Sequence, residues 1–166
     1  TFLINPKAAH YLRIIGLTFV FMILGSFAVS AVHRASAFFI ETIDFGAMMA
    51  AYDMAAFVAN YMSDNPTAVW WAIAAHALGA GLAVHMTTRF TKVPSWAESA
   101  RKKSFVPALV VTLFYLLADY INDTMTVPMD MSWVAIDMAL TLVFCAFAFR
   151  LGGGQETLEP GQMNAS

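Results

Sequence analysis

The chain has 166 residues, of which 60% are hydrophobic and 12% are charged, and its mean hydropathy is +0.65. An average soluble domain carries about 25% charged residues, so this composition argues against a water-soluble fold and predicts an integral membrane protein. The net charge of -2 gives no electrostatic attraction to nucleic acid, which we exclude as a partner.

The first apolar segment runs from Leu12 to Val32 and ends at the pair His33-Arg34. It contains Gly16 and Gly25, small residues that allow close helix approach in lipid. The residues before it lack the basic end, short apolar run and cleavage site of a signal peptide. We therefore predict a permanent transmembrane helix.

The second apolar segment, from Ser36 to Met62, is interrupted by polar residues that are costly at bilayer depth unless paired. These residues are Glu41, Asp44, Asp53 and Asn60. Phe45 to Met62 is just long enough to cross, and the turn sequence Ser63-Asp64-Asn65-Pro66 follows it. A crossing gives five transmembrane helices, which we favour slightly. If the segment instead lies at the surface or re-enters, there are four.

The third segment, Thr67 to Thr87, contains no Asp, Glu, Lys or Arg and is long enough to cross the hydrocarbon core. Its small residues repeat every four positions, as in Ala75, Gly79 and Ala83. Such ridges allow neighbouring helices to approach closely. We therefore expect this helix at the centre of the bundle.

The basic loop at residues 88–104 predicts the orientation, because loops rich in Lys and Arg stay in the cytoplasm. Phe105 to Tyr120 then crosses outward to an acidic loop, and Met131 to Phe149 returns. We thus expect an all-α transmembrane bundle over residues 1–150, in a prokaryotic inner membrane. A flexible polar tail at 151–166, also cytoplasmic, would follow it.

Asp53 and His76 form the first candidate site. Each lies about ten residues from the predicted turn, so in a helical hairpin the two side chains would be level, roughly 15 Å from the turn at ~1.5 Å per residue. A carboxylate beside an imidazole could share a proton or orient a ligand. The alternative is a structural hydrogen bond between helices.

Asp119 and Asp137 form the second candidate pair, on the two helices joined by the acidic loop. Two polar stripes with helical spacing could face each other there, made of Tyr115, Asp119 and Asn122 and of Trp133, Asp137 and Thr141. Asp123, Asp130 and Asp64 would extend them into an outer, carboxylate-rich vestibule for cations or protons. The alternative is that both carboxylates lie at the interface and reach water.

Histidines suggest a third possibility, which is haem binding. His76 and His85 are nine residues apart and point to opposite faces of one helix, so they cannot ligate one centre together. Ligation would need a histidine from another helix, for example His33 with His85. These three histidines are weak haem candidates. No metal-ligand spacing and no catalytic motif is present, so we expect neither a metal site nor an enzyme.

Three functional hypotheses follow. The favoured one is a small membrane subunit or anchor that packs against a larger protein in an energy-coupling or transport complex. The second is a self-contained carrier or channel for protons or cations, acting as a homo-oligomer through the intramembrane Asp and His residues. The third is a bundle that binds haem or quinone.

Overall fold

The structure is a computed structural model that describes residues 6–91 and 100–154, and within these ranges every regular element is helical. Six α-helices follow one another in the chain: α1 Pro6–Ser36, α2 Phe45–Ala50, α3 Met54–Asp64, α4 Pro66–Phe90, α5 Ala100–Ile121 and α6 Met131–Phe149. A π-helical turn, Asn122–Thr126, directly follows α5, and Arg150–Gly154, which is kinked at Gly153, directly follows α6. The predicted all-α bundle is confirmed.

Four of these helices, in the described part of the chain, are long and apolar enough to cross a membrane. They cover Ala8–Ser36, Pro66–Phe90, Phe105–Thr126 and Met131–Gly153. The structure thus has the four-helix count that the sequence left as the alternative, and the slightly favoured count of five is wrong.

The segment from Phe45 to Met62 is too broken to cross. Asp44 accepts a hydrogen bond from the backbone N–H of Ala47, and Asp53 accepts one from Ala56, each at 3.0 Å. An aspartate in this position caps the start of a helix. The segment therefore forms two helices of 6 and 11 residues, whereas a crossing needs about 20.

Helix α4 lies at the centre of the bundle, as the sequence predicts, and contacts α1, α5 and α6. Its closest approach is to α1, where Gly25 and Gly79 bring the two backbones together. A Cβ atom at Gly79 would lie 2.7 Å from the Gly25 carbonyl oxygen and would overlap the Val29 side chain. Only glycine leaves room for this crossing.

The contacts also give the direction of each helix. His33, near the end of α1, contacts His76, whereas Phe21 contacts Phe90, so α1 and α4 are antiparallel. Trp70 and Trp133, at the starts of α4 and α6, are in edge-to-face contact, so these helices run in the same direction. Residues 37–65 and the 122–130 connection therefore lie at one end of the bundle, the α2–α3 end, and Pro6 and Gly154 lie at the opposite end.

The predicted loop and tail are only partly described. Residues 88–90 belong to α4 and residues 100–104 to α5, while 92–99 lie outside the described residues. Helical structure continues past residue 150 and is interrupted at Gly153, whose φ of 87° is left-handed, and a Cβ atom at Gly152 would lie 2.8 Å from the Thr88 Cβ. The rest of the predicted tail, 155–166, lies outside the described residues.

Cysteine labelling tests the four-helix count. Thr42→Cys and Ser63→Cys, each in a Cys145→Ala background, are expected to react with a membrane-impermeant maleimide from the same side of sealed vesicles. The reason is that both positions lie at the α2–α3 end. Labelling from opposite sides would show that the segment between them crosses the membrane.

Candidate functional site

Four ionisable side chains meet inside the bundle near the α2–α3 end. His76 comes from α4, Asp119 from α5, Asp123 from the π-helical turn after α5, and Asp137 from α6. Their exposed fractions are 8%, 5%, 1% and 1%. We call these four residues the acid–histidine cluster.

The cluster is connected by short polar contacts. Nδ1 of His76 lies 2.6 Å from Oδ2 of Asp137 and 3.7 Å from Oδ1 of Asp119. The Thr141 hydroxyl donates to Oδ2 of Asp119 at 3.2 Å. Asn122 Nδ2 donates to Oδ1 of Asp123 at 3.0 Å. These contacts connect α4, α5 and α6 through side chains alone.

Two oxygens of the cluster have no hydrogen-bond donor among the described residues, although both are buried: Oδ2 of Asp123 and Oδ1 of Asp137. Three carboxylates accompany one imidazole, so the ionised cluster carries a net charge of -2 even when His76 is protonated. A buried charge is strongly unfavourable unless it is compensated. Protons or a bound cation must therefore compensate the negative charge of the cluster.

Helical spacing explains how the sequence builds this cluster. Asp119 and Asp123 are four residues apart, as are Asp137 and Thr141, so each pair lies on one helix face. On α4, His76 is flanked at the same spacing by Ala72 and Ala80. Small side chains at this spacing allow neighbouring helices to approach closely.

A cavity of about 450 Å³ leads from the α2–α3 end to the cluster. Its wall is mainly apolar, and His33, His76 and Asp123 line it where it meets the cluster. The Tyr61 hydroxyl, also on the wall, donates to the Glu41 carbonyl oxygen at 2.6 Å. Burial raises the pKa of Tyr61 above its usual value, and the nearby Glu41 carboxylate adds to the effect, so this hydroxyl stays a donor.

The structure brings together three of the candidate residues, namely His76, Asp119 and Asp137, and places Asp53 elsewhere. Asp53 is exposed and caps α3, so the expected Asp53–His76 pair is not formed, and His76 pairs with Asp137 instead. Tyr115 lies on the α1 side of α5, where its hydroxyl donates to the Met22 carbonyl oxygen at 2.6 Å.

The histidines do not form the pair that the haem hypothesis suggested. The rings of His33 and His76 are in edge-to-face contact, with centroids 5.5 Å apart. His85 lies farther along α4, where its carbonyl oxygen faces Gly152 at the opposite end. The suggested pair of His33 with His85 is therefore not formed. Haem binding stays a prediction.

Sequence reasoning missed the role of Asp123, which it placed in an outer vestibule with Asp130 and Asp64. Asp123 is buried, whereas the other two are exposed. Asp130 caps α6, and its hydrogen bonds from Ser132 hold the pKa of its carboxyl below the usual value. The four-residue spacing of Asp123 from Asp119 was the signal that could have placed it in the cluster.

The expectation of no metal site stays a prediction, and one group of side chains has a spacing that could hold an ion. Three possible ligand atoms lie within 4.8 Å of one another. They are a ring nitrogen of His76 and one carboxylate oxygen each from Asp123 and Asp137. The three residues are far apart in the sequence, so they form no recognisable metal-binding motif.

Comparisons with protein-family models, curated proteins and solved structures found no match to the chain.

Proposed function

We propose that this protein is a membrane carrier that takes up protons or cations at the acid–histidine cluster. The observation that carries the proposal is the meeting of three carboxylates with one imidazole inside an apolar bundle. Ionisable residues at this depth are costly and usually belong to ion or proton pathways. His76 lies ten residues into α4, roughly 15 Å from its start.

The shape of the bundle around the cluster supports a carrier open to one side. The cavity reaches His76 and Asp123 from the α2–α3 end. Beyond the cluster, the helices pack through a core that includes Val84, Val111 and Cys145, all nearly inaccessible. Alternating access requires a site that is open on one side and closed on the other, and this arrangement fits that state.

The orientation in the membrane belongs to the same proposal. The basic residues of the 88–104 loop favour the cytoplasm for the opposite end and for the C-terminus. The cavity would then open to the outside of a prokaryotic inner membrane. Uptake through the cavity would run inward.

The subunit hypothesis, which the sequence favoured, stays a prediction. The long helices expose many large apolar side chains, and such a surface fits lipid, another subunit or a second copy equally well. The mass of the purified particle and the identity of co-purifying chains test this hypothesis. An absorption spectrum with a Soret band would support the haem alternative.

Reconstituted flux tests the carrier proposal. Proteoliposomes with an internal pH dye and internal cation indicators are exposed to gradients of protons, monovalent cations and divalent cations. We expect wild-type protein to conduct at least one of these ions, and Asp119→Asn and Asp137→Asn to lose about tenfold or more of that flux. Wild-type flux no greater than that of protein-free liposomes for every ion would overturn the proposal.

The matched controls are Asp130→Asn and His85→Gln. Asp130 is an exposed carboxylate at the same end of the bundle, and His85 is a histidine on the same helix but away from the cluster. Both variants should retain flux. Equal loss in the controls and the cluster variants would also contradict the assignment of the cluster as the transport site.

A further inference from the structure

We propose that the ligand of the cluster is a divalent first-row transition-metal ion, bound by His76, Asp123 and Asp137. The inference rests on the proposed function in one respect only, that the cluster takes up a cation. It adds the chemical class of that cation and its ligands. The metal-binding claim can be tested without any transport measurement.

The unpartnered oxygens provide the first argument. Oδ2 of Asp123 and Oδ1 of Asp137 belong to side chains that are 1% exposed, and each lacks a donor among the described residues. Ionised carboxylates only accept hydrogen bonds, so Asp123 and Asp137 can satisfy each other only through a proton that a bound cation would replace. A metal ion between them compensates both oxygens at once.

The spacing of the donor atoms provides the second argument. The three donor atoms lie within 4.8 Å of one another. Ligands of a tetrahedral metal ion bound at about 2.0–2.2 Å from nitrogen and oxygen are about 3.5 Å apart. The most distant pair must therefore move closer by about 1 Å when the ion binds, a distance within the reach of side-chain rotation.

Charge favours a divalent ion over a monovalent one. The ionised site has three carboxylates, counting Asp119, which lies 3.7 Å from the His76 ring nitrogen. Metal ligation uses neutral imidazole. A divalent ion then leaves a net charge of -1, whereas Na⁺ or K⁺ leaves -2 in an apolar bundle.

The donor types select among divalent ions. Mg²⁺ and Ca²⁺ prefer sites made of oxygen atoms, while an imidazole nitrogen suits first-row transition metals. The set His76, Asp123 and Asp137 contains no thiolate, which disfavours Cu⁺. Mn²⁺, Fe²⁺ and Zn²⁺ are among the ions that suit one imidazole and two carboxylates.

The surrounding groups can orient the ligands. Asn122 Nδ2 donates to Oδ1 of Asp123 and leaves Oδ2 of the same carboxylate for the metal ion. Hydrogen bonds of this kind fix ligand orientation in metal sites. The cavity supplies a route, since His76 and Asp123 line both the cavity and the cluster.

Mn²⁺ binding measured by electron paramagnetic resonance tests the inference. Detergent-purified full-length protein without a polyhistidine tag is titrated with Mn²⁺, because the six-line signal of the free ion is lost on binding. We expect one Mn²⁺ bound per chain at saturation. Zn²⁺ should displace the bound Mn²⁺, and Mg²⁺ in excess should not.

Substitutions in the cluster test which residues bind the Mn²⁺ ion. Asp123→Asn and Asp137→Asn are each expected to weaken Mn²⁺ binding at least about tenfold, since even outer-shell changes cost 10–100-fold. Asp53→Asn and His85→Gln should bind like the wild type, because neither residue belongs to the cluster. A helical circular dichroism spectrum and an unchanged elution volume show that each variant is folded.

The outcomes separate the two proposals. No Mn²⁺ or Zn²⁺ binding by folded wild-type protein, or binding that survives both aspartate substitutions, overturns the metal assignment. Proton flux in proteoliposomes without metal binding would leave the carrier proposal standing and reject the metal. Stoichiometric metal binding without flux of any ion would support the site and reject the carrier. The wild-type titration decides the inference even if an aspartate variant fails to fold.

Discussion

Gly79→Val is expected to separate α1 from α4 and to destabilise the bundle. A Cβ atom at residue 79 would lie 2.7 Å from the Gly25 carbonyl oxygen and would overlap the Val29 side chain. The carbonyl is backbone, so the overlap is relieved only by moving a helix. Overpacking of this kind costs about 3 kcal/mol. Unfolding by SDS titration in mixed micelles measures the loss in the free energy of unfolding.

Gly16→Val is the matched control for this prediction. Gly16 lies on the same helix α1 as Gly25, and a Cβ atom there would meet nothing within 4 Å. Its substitution is expected to change the free energy of unfolding by less than about 1 kcal/mol. Equal effects of the two substitutions would show that α1 and α4 do not cross at these glycines.

His76→Leu is expected to be the most destabilising substitution in the cluster. It leaves Asp119, Asp123 and Asp137 together in the bundle without the imidazole that lies 2.6 Å from Asp137. Removing one partner of a buried ion pair costs about 3–5 kcal/mol, because the remaining charge is uncompensated. The same SDS titration measures the change.

A second substitution checks the cause of this loss. Asp137→Asn in the His76→Leu background removes one uncompensated carboxylate, so it should restore part of the lost stability, while Asp130→Asn in that background should not. Additive effects of His76→Leu and Asp137→Asn would mean that the two side chains do not interact, since contacting residues give non-additive effects.

The amino-acid sequence was sufficient to predict the helical bundle and the central position of α4. Long apolar runs specify membrane helices directly, and the four-residue spacing of Ala75, Gly79 and Ala83 marks the face where neighbours approach. Apolar runs and small-residue spacing did not decide the number of transmembrane helices. Hydropathy over Phe45 to Met62 does not reveal that Asp53 caps a second short helix, because capping depends on local backbone conformation.

The candidate site was predicted in part. Asp119 and Asp137 share a depth that follows from the loop between their helices, and His76 is the polar residue of the central helix. Its partner was misassigned to Asp53, because the hairpin argument assumed one continuous helix before the turn. Asp123 was assigned to the loop because the predicted helix ended at Tyr120, whereas the chain stays helical to Thr126 and keeps Asp123 on the face of Asp119.

The hydrogen bond between His76 and Asp137 is the most direct test of the cluster, because the 2.6 Å separation of Nδ1 and Oδ2 joins α4 to α6. Nuclear magnetic resonance of protein labelled with ¹⁵N in its histidine rings, in bilayers, observes the bridging proton. We predict a strongly downfield N–H proton that is retained in His85→Gln, lost in His76→Gln and shifted upfield in Asp137→Asn. A spectrum without such a proton, or one in which it survives His76→Gln, would contradict the account.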